Sequence, residues 1–227
     1  MENLFLFLLR LSFLIPVLVG LVFSLQTRSL PLALTIILIH SILFGLVNTF
    51  HDDLIAYADS YSYFAAYTTL EFITFCFIIK LASNTIRPKL LLSGCTLVYT
   101  LSIIITIFQK NHEKADSLNI GIETILVSIN IIYFFYLRFK KVDEQYLYQN
   151  PYFWLMTGML VYLAFTFFFN ILVNHVDNEV IKNYYHFSYI GDIIKNLLFA
   201  VAIWHLPRRS GSESRVQSFN APKLDLI

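Results

Sequence analysis

An all-α, polytopic membrane fold with seven transmembrane helices is what this sequence predicts, and three observations carry that expectation. Hydrophobic residues make up 57% of the 227 and charged residues only 14%, whereas soluble domains have about 45–50% and about 25%. Seven apolar runs are long enough, or nearly so, to cross a hydrocarbon core that takes about 20 helical residues. Lys and Arg, finally, are distributed very unevenly over the segments between those runs.

The runs are Leu4–Leu25, Leu32–Phe50, Ser62–Leu81, Leu90–Phe108, Ile120–Leu137, Tyr152–Val173 and Phe187–Leu206. The first is longer than the apolar stretch of a secretory signal, has no charged segment before it and ends in VFSLQTR without a small-x-small cleavage pattern, so it reads as a retained helix. None of the seven alternates in polarity over about ten residues, as barrel strands would. Connections are short, and no internal repeat relates the first three runs to the last three. Residues 1–206 therefore read as one seven-helix transmembrane domain. Residues 207–227, RSGSESRVQSFN and its neighbours, read as a polar, disordered cytoplasmic tail.

Orientation follows from the positive-inside rule. The N-terminus and the connections after the second, fourth and sixth runs carry 0, 0, 2 and 1 basic residues. The connections after the first, third and fifth, with the tail, carry 1, 3, 3 and 4 when Lys80 is counted with the loop that follows it. The N-terminus is thus expected outside and the C-terminus in the cytoplasm of a bacterial inner membrane. HDDLIAYAD, from His51 to Asp59, reads as a solvated acidic loop on the outer face.

Net charge of +1 gives no basic surface for nucleic acid. Cys76 and Cys95 lie inside apolar runs and read as packing residues rather than a disulfide or zinc ligands. No cofactor is implied, and the partners expected are membrane lipid and a separate signalling protein in the cytoplasm or membrane.

Charged residues inside spans are costly and usually face the bundle interior with partners. At 1.5 Å per residue, Glu71 in the third run lies roughly 14 Å from the outer interface and Lys195 in the seventh roughly 12 Å. Asp192 is one turn shallower than Lys195. The economical arrangement is an ion pair between Glu71 and Lys195, or a three-way cluster with Asp192. Tyr67 lies on the same helix face as Glu71, one turn nearer the outside, and Asn196 adjoins Lys195. Arg10 and His40 complete a candidate intramembrane polar cluster, with Arg10 as readily placed at the outer headgroups and His40 as readily a packing residue. Glu123, about one turn into the fifth run, is expected to be solvated at the interface.

A lysine in the seventh helix invites comparison with retinal proteins, but YTTLEFITFCF does not match their third helix. Asp192 also precedes Lys195 by three residues where four is usual. A seven-helix zinc hydrolase would need several converging histidines, yet only His40 lies deep in a run; His51, Asp52, His175, Asp177 and His186 have no spacing that requires a metal. The repeat and the proline-glutamine pattern of small sugar carriers are missing as well. PYFWLMTGMLVYLAFTFFFNIL in the sixth run, YTTLEFITFCFIIK in the third and IIKNLLFAVAIW in the seventh together resemble a group of small, uncharacterised bacterial seven-helix proteins. The architecture is similar to the membrane-sensor modules of histidine kinases, without a kinase domain in this chain. That resemblance implies a sensor-like or ligand-binding module with an outward-facing polar pocket around Glu71, Asp192 and Lys195. A proton-coupled small-molecule transporter and an intramembrane lipid-modifying enzyme are the alternatives.

Overall fold

A computed structural model describes residues 2–26, 31–57, 60–83, 86–108, 112–140, 148–173 and 186–206. Among them there is no strand. The helices are α1 (Glu2–Gln26), α2 (Leu32–Thr49), α3 (His51–Tyr57), α4 (Ser60–Ala82), α5 (Ile86–Phe108), α6 (His112–Phe139), α7 (Pro151–Val173) and α8 (His186–Trp204). The polar tail expected over residues 207–227 lies outside the described residues, as do His175 and Asp177.

Each of the seven apolar runs is one long helix, and the boundaries shift for local reasons. Pro151 opens α7, where its missing N–H has no partner to lose, and the Asn150 Oδ1 accepts the Tyr152 N–H at 3.0 Å. Pro88 sits in the first turn of α5, again without an interrupted bond. α6 begins eight residues before its apolar run, because HEKADSLN continues the helix into polar sequence. The segment expected as an acidic loop holds the short helix α3, fastened by a 2.8 Å hydrogen bond between His51 Nδ1 and the Tyr63 hydroxyl.

Among the described residues, six helices are long and apolar enough to span a membrane: α1, α2, α4, α5, α6 and α7. Their outward faces are lined with exposed Leu, Ile, Val and Phe, such as Leu18, Ile39, Phe77, Leu97 and Ile132, a surface suited to lipid rather than water. α8 is different in composition, with Asp192 and Lys195 in its middle, and packs along both α7 and α1. The helices close a ring in the order α2, α1, α8, α7, α6 and α4, with α5 packed against α6 and α4 from outside.

The ring interior is apolar over the half away from α3. Leu34, Ile37, Phe75, Ile78, Ile79, Ile131, Met156, Met159, Phe199 and Ile203 are each buried there. Two glycines set the distance between α7 and α8. A Cβ on Gly191 would lie 2.8 Å from the Phe165 Cβ, and one on Gly158 would lie 3.3 Å from the Lys195 carbonyl oxygen. Small residues of this kind let membrane helices approach closely, and here the approach holds Lys195 against α7.

Candidate functional site: a buried charge network

Lys195 lies inside the ring with no exposed surface. Its Nζ is 2.8 Å from Asp192 Oδ1, one turn away on α8, an ion-pair contact. The same ammonium donates across the ring to Glu71 Oε1 of α4 at 3.4 Å. Glu71 Oε2 in turn accepts the Tyr162 hydroxyl of α7 at 2.8 Å. The Tyr162 ring also faces the lysine, with Nζ 3.7 Å from its centroid, and Phe75 is 5.9 Å away on α4. Three helices thus meet on one cation through two carboxylates, a phenol and two aromatic faces.

Placement follows from helix geometry. Asp192 and Lys195 are three apart on α8, so both project on one face. Lys195, Phe199 and Ala202 continue that face into the core. On α4, Glu71 shares a buried stripe with Phe75, Ile78 and Ala82, spaced by three and four residues as an inward stripe must be.

Of the other candidates, Tyr67 lies beside the network towards the α3 end. It is partly buried, edge-on to Phe44 at 4.8 Å between centroids, next to Asn48, and within electrostatic range of Glu71 and Asp192. Asn196 points elsewhere: its Nδ2 donates to Ser12 Oγ at 2.8 Å, and Ser12 donates on to the Leu9 carbonyl at 2.7 Å. Asn196 is a strut from α8 to α1 rather than part of the ion cluster. His40 is buried with neither ring nitrogen hydrogen-bonded. Its ring packs on Phe44, Phe75 and Phe199 at 4.3, 5.8 and 5.9 Å, so it borders the network through aromatic contact. Arg10 is exposed on the outer surface of α1, a position on the face next to the buried Leu9 and Phe13, and does not join the cluster.

Two residues of the site escaped the sequence reading. Tyr162 is one tyrosine among 14, several of which, such as Tyr57 and Tyr152, lie at or near helix ends. Its signal was depth, since it lies eleven residues inside α7 from Pro151, too far in for a headgroup contact. Glu123 is the second, and the expectation of solvation is corrected: it is 2% exposed. α6 starts at His112, which puts Glu123 three turns inside the helix instead of one.

The network is closed. Glu71 is 3% exposed, and only Asp192, with 13% of its side chain accessible, opens towards the surface. A cleft of about 590 Å3 among Pro31, Leu81, Arg138, Asn150, Tyr152 and Leu206 is at the opposite end of the bundle. Among the described residues, no three His, Cys, Asp or Glu side chains converge to hold a metal. Cys76 and Cys95 are buried and unbridged, and Cys95 Sγ accepts a hydrogen bond from Asn130 Nδ2 at 3.1 Å.

No family model, no curated protein and no solved structure matches this chain. What the architecture defines is the class: among the described residues it is all-helical, with six helices fit to span a membrane.

Proposed function

We propose that this chain is a seven-span module of the cell membrane, α8 being the seventh span, with its N-terminus outside and its C-terminus cytoplasmic. Its role is sensor-like: a ligand or proton arriving from outside past Asp192 changes the charge balance of the Asp192–Lys195–Glu71–Tyr162 network and shifts the packing of α8 against α4 and α7. The observation that carries this reading is the full burial of Lys195 between two carboxylates drawn from different helices. A bond set that crosses helices supplies two discrete arrangements, paired and unpaired, which a ligand can favour unequally. Buried ion pairs add little net stability compared with apolar packing, so bundle cohesion alone gives weak reason to keep one. A separate protein would receive the signal, and the basic cytoplasmic face would lie against anionic lipid.

The test uses the whole chain in lipid nanodiscs, with a single cysteine replacing Asn48 as a reporter beside Tyr67. Glu71→Gln/Lys195→Met should remain folded and change the reaction rate of that cysteine with an impermeant maleimide by several-fold. An unchanged rate, with loss of thermal stability alone, would mean that the network only holds the bundle together. A second reading, the proton-coupled carrier, draws on one further observation, the buried carboxyl of Glu123.

A further inference from the structure

Glu123 lies in a part of the bundle where oxygen atoms lack partners. Two hydrogen bonds fix how α5 and α6 are aligned: Asn119 Nδ2 donates to Thr106 Oγ1 at 3.2 Å, and Asn130 Nδ2 donates to Cys95 Sγ at 3.1 Å. In both pairs the residue numbers add to 225, as an antiparallel register requires, so Glu123 stands level with Ser102. Asn119 and Glu123 are one turn apart on a common face of α6. Tyr99, Ser102 and Thr106 form the facing stripe of α5, all 6% exposed or less.

The hydrogen-bond account of this interface does not close. Asn119 has committed its amide nitrogen to Thr106, which leaves Oδ1 buried and unpartnered. Glu123 Oε1 is likewise buried with no partner. Ser102 Oγ donates to the Tyr99 carbonyl at 2.8 Å, so its lone pairs remain free to accept. Tyr99 is held by stacking on Phe72 of α4, 4.0 Å between centroids, and its hydroxyl lies within range of Glu123 and beside Thr68 and Thr69 of α4. The cation within range, Lys195, is already engaged by Asp192 and Glu71. An unpartnered carboxyl oxygen in such surroundings is costly, and two unpartnered oxygens one turn apart on the same face of α6 point to a missing positive species.

We infer that Glu123, Asn119, Tyr99 and Ser102 form a site for an alkali-metal cation, Na+ or K+, between α5 and α6. The ligand chemistry selects the ion. All four atoms are hard oxygens, which suit an alkali or alkaline-earth cation rather than a transition metal. Only one of the four residues carries a formal charge, which matches a monovalent ion and falls short of what a divalent ion usually takes. The site stands apart from the sensing role of Lys195, which its failure would leave intact.

The experiment measures the thermal unfolding midpoint of the full chain in phosphatidylcholine nanodiscs. NaCl, KCl and choline chloride are compared at constant ionic strength, so that screening is equal. NaCl or KCl should raise the midpoint saturably over choline chloride, by about 5 °C at a hundred-fold excess over the dissociation constant. Glu123→Gln should abolish the difference between salts. Asn119→Ala, which keeps the carboxyl, should raise the half-saturating cation concentration about tenfold, the equivalent of one lost ligand. Equal midpoints in all three salts would overturn the inference and leave buried water as the partner of these oxygens. So would a cation effect that survives in both variants.

Discussion

The two sides of the polar layer differ in how completely they are paired. On the α8 side, Lys195 meets Asp192 and Glu71, Glu71 meets Tyr162, and Asn196 meets Ser12 through its Nδ2, leaving Asn196 Oδ1 and the His40 ring nitrogens without partners. On the α6 side, Glu123 Oε1, Asn119 Oδ1 and Thr124 Oγ1 are buried without partners. Both sides use the same residue types at the same burial, so polarity alone does not separate them. The difference is the supply of positive charge. α8 contributes an ammonium, while the α5–α6 interface offers Glu123 amide and hydroxyl groups. A membrane interior offers no water to make up such a shortfall, so the carboxylate of Glu71 is balanced by the chain itself, while that of Glu123 calls for a cation from outside it.

Substitutions should separate the two sides in a definite order of size. Lys195→Met leaves two buried carboxylates without their cation and should cost about 3–5 kcal/mol in reversible unfolding. Adding Glu71→Gln should recover a sizeable part of it, and a double-mutant cycle measures that coupling. Tyr162→Phe removes one hydrogen bond to a buried charged group and should cost about 1.5–3 kcal/mol. Gly191→Ala places a methyl 2.8 Å from the Phe165 Cβ and should cost about 1–3 kcal/mol by overpacking. It should also weaken the Lys195–Glu71 coupling, because α8 must move away from α7. Asn196→Ala cuts the strut to α1 and should cost about 0.6 kcal/mol, the average for a side-chain hydrogen bond in a membrane protein. Smallest of all, Glu123→Gln in choline chloride should fall within about 0.5 kcal/mol of the parent, since it breaks no bond to Oε1. A large loss there would show the α6 side to be internally paired and would erase the contrast.

Much of this was legible in one dimension. Apolar runs of about 20 residues mark helices whatever packs beside them, because a helix satisfies its own backbone in lipid. The level match between Glu71 and Lys195 was legible too, since depth needs only the rise per residue and a direction for each helix. Arg10 was ambiguous because one turn of helix separates a core face from a lipid face, and the sequence does not say which way α1 is rotated. Glu123 was misplaced because its depth was counted from the start of the apolar run, whereas the helix begins in polar sequence at His112.

Composition and hydropathy by themselves determined the helical class, the number of long helices and the shared depth of Glu71 and Lys195. Tertiary structure decided the partnerships. Rotation of α1 sent Arg10 outward, the glycine contacts of α7 and α8 brought Tyr162 beneath Lys195, and the register of α5 on α6 gathered acceptors around Glu123. The reason is physical: depth is a property of one helix and adds up along the chain, but a contact depends on the relative rotation and register of two. Those are set by side-chain packing summed over the whole interface, and no local stretch of sequence contains that sum.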